Sequence, residues 1–144
     1  MVRKADNPEL LTNFGLWIRN NCAPSTELTL TNLDYFIKNR GINPNILILF
    51  EEKCKMDKLH YGQMQLFKNL DEIIRTAAPL LGYDYWGFYL LQLPEYSPEE
   101  GMLLNGEEIT VDQLINHING YVPVVAPFLA NDWYDPKFLH KRIN

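Results

Sequence analysis

The sequence predicts an α/β fold, in which a central mixed β-sheet is flanked by helices and followed by an irregular C-terminal extension. Residues 46–50 form a continuous apolar run, as expected of a central strand that is covered on both faces. Residues 59–81 carry apolar side chains at helical spacing, and residues 83–93 are aromatic and aliphatic throughout. Together with a first helix and an earlier β-type run, they predict the order helix, strand, strand, helix, strand.

Length and composition are those of a single domain. The chain has 144 residues, of which 47% are hydrophobic and 12% aromatic, enough to bury a sizeable core. The net charge of -5 argues against a large non-specific DNA-binding surface, but a nuclease stays open because carboxylates that hold a metal lower the net charge themselves. No signal peptide or membrane-length apolar run is visible, so we expect a cytoplasmic protein without membrane contact, and Cys22 and Cys54 are expected to be free thiols.

Two longer helices are predicted. The first starts at Pro8, which takes the first helical position after Asp6 or Asn7. Its apolar stripe consists of Leu10, Phe14, Trp17 and Ile18. The second helix spans residues 59–81 and ends at Gly82. Its predicted buried face consists of Leu66, Leu70, Ile73, Ile74 and Ala77.

A β-hairpin is predicted between these helices. Residues 26–37 are rich in threonine, leucine and aromatic side chains, which favours a strand with Asp34 on its inward face. Asparagine, glycine and proline then provide turn signals before residues 46–50. The hairpin would bring Asp34 to one strand and Glu51 and Lys53 to the far end of the other.

The C-terminal part contains shorter elements. Residues 102–104 predict a short strand that ends in a turn at Asn105, and Thr110 caps a helix that runs to Asn119. The inward side chains of that helix are predicted to be Leu114, Ile115 and Ile118. Residues 121–144 are expected to be irregular and to wrap the body with aromatic side chains. These aromatic residues are Phe128, Trp133, Tyr134 and Phe138.

Charged residues follow directly on the most apolar run of the chain, as Glu51, Glu52 and Lys53. Charges at the end of a buried strand are costly unless they are paired or bind a metal. Because a strand alternates faces, Glu51 and Lys53 point one way and Glu52 the other. With Asp34 on the neighbouring strand, the arrangement suits metal-assisted cleavage of a phosphodiester.

This pattern resembles the PD-(D/E)xK superfamily, the restriction-endonuclease-like nucleases. The matching pieces are residues 33–37 with Asp34, residues 48–53 with the Glu-x-Lys pattern, and Gln63 in the following helix, where many branches carry a glutamine. Leu33 stands where the family usually has a proline before its first acid.

The resemblance covers residues 7–93 of a single domain and leaves residues 94–144 as the extension. It implies a restriction-endonuclease-like core and hydrolysis of DNA phosphodiester bonds with Mg²⁺, for which Mn²⁺ can substitute. It also matches Glu9 to an acid that many members place on the first helix, where it contacts the metal through water. An ordinary first-turn acid that interacts with the helix dipole is the alternative for Glu9.

The resemblance implies a role for each residue of the motif. Asp34 and Glu51 would ligate the metal, with the backbone carbonyl of Glu52 as a further ligand or Glu52 as a bystander. Lys53 would orient or deprotonate the attacking water, or stabilise charge on the phosphate. Gln63 would hold a phosphate oxygen or the water.

The histidines, the partner and the alternative functions need separate interpretation. Because His60, His117 and His140 lack the spacing of a zinc site, structural or surface roles are expected for them. The expected partner is duplex or branched DNA, and two-strand cleavage would imply a homodimer. The alternatives are a catalytically inactive binding or accessory protein with the nuclease fold, of viral, phage or mobile-element type, and a nuclease directed at RNA.

Overall fold

The computed structural model describes residues 13–22, 33–41, 44–120 and 122–141. Five strands form one mixed sheet, in which the spatial order of the strands follows the sequence. The strands are β1 Tyr35–Asn39, β2 Ile46–Lys53, β3 Asp84–Gln92, β4 Leu103–Leu104 and β5 Glu107–Glu108. The helices are α1 Asn13–Asn21, α2 Tyr61–Ala77 and α3 Val111–Ile118. The predicted α/β class with a mixed sheet is confirmed.

Strands β1 and β2 form the predicted antiparallel hairpin. Their register pairs Tyr35 with Phe50, so the residues just outside this pair, Asp34 and Glu51, meet at the same end of the hairpin. The prediction that Asp34 lies within the strand and faces inward is wrong: it is exposed and directly precedes β1. Residues 26–32 of the predicted strand lie outside the described residues.

Strand β2 is an interior strand of the sheet, since it pairs with β1 on one side and runs parallel to β3 on the other. Helix α2 connects the two parallel strands, as a parallel pair requires a long crossover. The register pairs Glu51 with Leu90 and Lys53 with Gln92, so the charged end of β2 lies beside the carboxyl end of β3. In open α/β sheets this edge is where ligands usually bind.

Both faces of the sheet are covered by apolar clusters. The cluster on the α3 side contains Ile48 and Phe50, and the cluster on the α2 side contains Leu49. The alternation of β2 therefore buries successive side chains in opposite cores, as predicted for an apolar strand covered on both faces. The C-terminal extension contributes to both cores, with β4, β5 and α3 beyond the end of β3.

The predicted buried face of α2 is correct for Leu70 and Ile74, which pack against the core, and wrong for Leu66 and Ile73. Met64, Phe67 and Asp71 are the buried residues of this helix, whereas Leu66 is 37% exposed and Ile73 is 64% exposed. Leu70, Ile74 and Ala77 are half-buried. The true stripe is rotated and contains a charged residue, so apolar periodicity alone selected the neighbouring stripe.

Asp71 is tolerated in this stripe because its carboxylate is well partnered. It accepts a hydrogen bond from the Tyr85 hydroxyl at 2.7 Å and forms an ion pair with Arg75 at 3.1 Å. A 3₁₀ turn, Pro79–Leu81, follows α2, and Gly82 ends it in the left-handed conformation, as the sequence predicts for the exit of this helix.

The outer elements confirm some predictions and correct others. Pro8, Glu9 and Leu10 lie outside the described residues, and Trp17, which belongs to the predicted apolar stripe of α1, is 56% exposed. In α3, Thr110 is the N-cap and accepts a hydrogen bond from the Gln113 N–H at 3.1 Å, as predicted. Ile115, predicted to be inward, is 50% exposed, and His117 is buried in its place.

The C-terminal segment packs three of its four predicted aromatic residues into the core. Phe128, Trp133 and Phe138 belong to the cluster on the α2 side, whereas Tyr134 is 62% exposed. Within residues 122–141, regular structure is limited to a 3₁₀ turn, Asp132–Tyr134, and an isolated bridge. In the described part of the chain, the helices are too short or too polar to cross a membrane.

Candidate functional site

Asp34 and Glu51 meet where β1 begins and β2 leaves the core. The Glu52 backbone N–H donates a hydrogen bond of 2.9 Å to Asp34 Oδ2, which fixes the Asp34 carboxylate against the end of β2. The Glu51 side chain is within hydrogen-bonding reach of the Asp34 carboxylate, and Glu51 is only 2% exposed. The hairpin therefore brings together the two acids that the sequence predicts as metal ligands.

The environment of Glu51 strongly disfavours its charged form. Burial is the main cause that raises the pKa of Glu51 well above 4.5, its ordinary value. The hydrogen bond to Asp34 and the charge of Asp34 raise this pKa further, while Lys53 and the Glu52 backbone N–H oppose the shift. Two acids in such proximity must share a proton or a cation.

Lys53 and Gln63 form the next part of the site. Lys53 Nζ donates a hydrogen bond of 3.0 Å to Gln63 Oε1, which links β2 to the first turn of α2. The same oxygen accepts a hydrogen bond of 3.1 Å from the His60 backbone N–H and so helps to cap the helix. The structure thus brings the predicted residue Gln63 to Lys53.

Glu52 is on the opposite face of β2, toward Cys54. Its Oε1 lies 4.0 Å from Cys54 Sγ, and burial, followed by the charge of Asp34, raises the pKa of Glu52. This side chain is directed away from Lys53, in agreement with the predicted split of faces. Glu9, the remaining predicted ligand, lies outside the described residues.

A second group of polar side chains lies close to Lys53, and the sequence did not predict it. Asp57, His60 and His140 each offer one ligand atom, and these atoms all lie within 4.8 Å of one another. Asp57 and His60 are three positions apart, which was the local signal, but His140 comes from the distant end of the chain. Only the tertiary fold joins them.

Three further lysines, Lys55, Lys58 and Lys137, each have a partner of their own. Lys58 Nζ donates to the Pro136 carbonyl at 2.9 Å, and Lys137 lies 3.9 Å from an oxygen of Asp135. Lys55 is stacked over an aromatic ring, with its Nζ 5.1 Å from the ring centre. Cys22 and Cys54 are free thiols, as expected.

The aromatic run of β3 belongs to the core. Phe88 and Tyr89 are fully buried, and Tyr85 and Trp86 are half-buried. The prediction that this run is a buried strand is therefore confirmed for the two central rings.

Comparisons with protein-family models, with curated proteins and with solved structures find no match for this chain.

Proposed function

We propose that this chain is a metal-dependent endonuclease that hydrolyses DNA phosphodiester bonds and has a restriction-endonuclease-like core. The observation that carries the proposal is the meeting of Asp34 and Glu51 at the end of β2, with Lys53 two residues further along the strand. Two acids and a lysine at one strand end form the minimal set for metal-assisted attack on a phosphate.

The order of the elements supports the proposed core. In the described residues a helix, an antiparallel strand pair, a crossover helix and a parallel strand follow one another. This is the order that the resemblance implies, and it puts the candidate site at the carboxyl end of two parallel strands. The hairpin register and the α2 crossover explain why residues from separate segments converge there.

The acid pair fits a divalent cation. The Glu51 carboxyl group is buried against the Asp34 carboxylate, and its pKa is raised, so a cation between them would relieve the repulsion that otherwise requires a shared proton. Asp34 and Glu51 would hold Mg²⁺ or Mn²⁺, with the Glu52 carbonyl as a further oxygen donor. When bound, such an ion lowers the pKa of a coordinated water and polarises a phosphate.

Lys53 would act directly on the reacting groups. Its ammonium group is half-buried on the face of β2 that carries Glu51, and Gln63 holds it at 3.0 Å. From this position Lys53 would orient the attacking water or stabilise the charge that develops on the phosphate. Gln63 would position Lys53 through this hydrogen bond.

The non-enzymatic alternative loses part of its motivation. A binding protein would use exposed aromatic residues of the C-terminal segment, but Phe128, Trp133 and Phe138 are at most 3% exposed, whereas Tyr134 is 62% exposed. The preference for DNA over RNA is part of the proposal and is tested by the substrate panel below. Cleavage of both strands would imply a homodimer.

The test is a nicking assay on supercoiled, linear and branched DNA, with a matched RNA, in Mg²⁺ or Mn²⁺. We expect Lys53→Met to lower the rate at least about 100-fold, the lower range for a positioned acid–base group. Lys68→Met is the matched control, because Lys68 forms an exposed pair with Glu72 on the same helix as Gln63. Equal rates for Lys53→Met and wild type, or no cleavage of any substrate by wild type, would refute the proposal.

A further inference from the structure

Three ligand-type side chains converge where α2 begins and the C-terminal segment passes. Asp57 precedes α2, His60 is its N-cap, and His140 approaches from the end of the described chain. Their candidate ligand atoms lie within 4.8 Å of one another. None of the three belongs to the proposed nuclease site, so the group requires an explanation of its own.

The backbone holds the two contributing segments in fixed register. The Leu59 N–H donates to the Phe138 carbonyl at 2.9 Å, and the His140 N–H donates to the Leu59 carbonyl at 2.8 Å. Leu59 is 1% exposed and Phe138 is 2% exposed, so both segments are anchored in the core. Ligands on anchored backbone are preorganised, which is the main requirement for a specific metal site.

We propose that Asp57, His60 and His140 form a binding site for a divalent transition metal of the Zn²⁺ type. Two imidazoles and one carboxylate are the ligand set that Zn²⁺, Co²⁺ and Fe²⁺ take in proteins, and three protein ligands leave a position for water. The two nitrogens distinguish this site from the all-oxygen pair of Asp34 and Glu51, which suits the harder ion Mg²⁺.

The three side chains of the group are in close contact with one another. His140 Nε2 lies 2.6 Å from Asp57 Oδ1, and the His60 and His140 rings are stacked with centres 4.7 Å apart. An ion bound to His140 Nε2 would replace the hydrogen bond between Asp57 and His140, because a nitrogen that binds a metal carries no proton. The side chains of His140 and Asp57 are 42% and 47% exposed, so an ion can enter from solvent.

The charge state of Asp57 is compatible with this role. Although burial opposes ionisation, the Lys58 backbone N–H and His140 outweigh it and lower the pKa of Asp57. The carboxylate is therefore ionised at neutral pH and ready to act as a ligand. A bound ion would fasten residues 136–141 to the start of α2, beside Lys53 and Gln63, whether or not the chain cleaves nucleic acid.

The experiment is a titration of the full chain with Co²⁺, followed by visible absorption, in the Asp34→Asn/Glu51→Gln background. This background removes the other acid pair, so the remaining binding reports on the second site. We expect one Co²⁺ per chain with the absorption of nitrogen and oxygen coordination, and displacement of Co²⁺ by Zn²⁺. His140→Gln and His60→Gln should each weaken Co²⁺ binding by at least about tenfold.

Two further variants make the result specific. Asp57→Asn keeps the shape of the side chain and should also weaken binding, whereas Asp135→Asn, a partly exposed neighbour paired with Lys137, should not. Circular dichroism of each variant separates lost ligands from lost fold. No stoichiometric Co²⁺ binding in the background variant, or unchanged affinity in both histidine variants, would overturn the proposal. Because no nucleic acid is present, failure of the nuclease proposal would leave this outcome unaffected.

Discussion

The acid pair at the end of β2 and the histidine group beside α2 are both groups of candidate metal ligands, but they differ in burial and in their neighbours. Glu51 is 2% exposed, and in the described part of the chain the cation that acts on it is Lys53 of its own strand, so its ionisation is suppressed by burial and by Asp34. Asp57 and His140 are about half exposed and already form a complementary pair at 2.6 Å. Ionisation of Glu51 therefore destabilises the acid pair, whereas Asp57 and His140 stabilise each other through their hydrogen bond.

Because of this difference, a bound metal would affect stability differently in the two regions. At Asp34 and Glu51 an ion would supply the countercharge that burial otherwise denies, so binding, pH and stability should be strongly coupled. At Asp57, His60 and His140 the ion competes with an existing hydrogen bond and with protons, so coupling to stability should be weaker. Gln63 connects the two regions, since its Oε1 accepts from both Lys53 and the His60 N–H.

The largest expected effect is the loss of cleavage from the acid pair. Asp34→Asn and Glu51→Gln should each lower the nicking rate by about 1000-fold, because a metal ion contributes several kcal/mol to such a transition state. His140→Gln should stay within a few-fold of wild type in the same assay. A loss in His140→Gln as large as in Glu51→Gln would show that the two regions act as one site.

The second prediction uses the pH dependence of stability. A group with a raised folded-state pKa stabilises the fold below its ordinary pKa, and this contribution is lost as pH rises toward the folded value. For Glu51 the loss should begin above 4.5. The Glu51→Gln variant should therefore become more stable than the metal-free wild type by about 2 kcal/mol at pH 8, the usual cost of an uncompensated buried group.

Thermal or urea unfolding between pH 5 and pH 9 measures this difference. The matched control is Glu107→Gln, a replacement of an exposed strand residue, which should run parallel to wild type. Saturating Mg²⁺ should stabilise the wild type at high pH and leave Glu51→Gln unchanged. A constant difference between Glu51→Gln and wild type across the pH range would contradict the account of Glu51.

The third prediction concerns the residue that joins the two regions. Gln63→Ala should lower the nicking rate by about tenfold, because Lys53 loses a fixed partner but keeps its charge. It should also cost about 1 kcal/mol of stability, since the N-cap N–H of α2 loses its acceptor. Gln65→Ala is the control, as Gln65 bonds to Tyr61 on the exposed side of the same helix. Equal effects of both variants would argue against the linking role.

The smallest expected effect is that of His140→Gln on metal-free stability. The hydrogen bond with Asp57 is about half exposed, so its loss should cost at most about 1 kcal/mol. The lowered pKa of Asp57 means that its contribution is present at neutral pH and disappears as pH falls through the folded-state value. Chemical denaturation at pH 7 and pH 3 would measure it, and a difference of several kcal/mol would show a larger structural role.

Much of the first region was predictable from the sequence, because its residues lie on adjacent strands. The apolar run of β2 and the turn after β1 determine the hairpin, and the hairpin register brings Asp34 to Glu51. The wrong part of the prediction was the position of Asp34, which precedes β1 and is exposed. An inward position could not be judged without knowing where pairing begins.

The second region could not be predicted for a physical reason. His140 reaches Asp57 because Phe138 is anchored in the core and the backbone pairs with Leu59, and neither contact leaves a local pattern in the sequence. The same limit explains the rotated face of α2. Asp71 belongs to the buried stripe only because distant Tyr85 satisfies its carboxylate, so periodicity favoured the wrong side chains.

The most direct test of the central claim is a crystal of the full chain soaked in Mn²⁺, with anomalous diffraction recorded at the manganese edge. The account predicts a peak that contacts both the Asp34 and the Glu51 carboxylates, and its loss in Glu51→Gln. Ordered, ionised carboxylates without a peak between them at saturating Mn²⁺ would contradict the account, as would a peak bound by the histidine group alone.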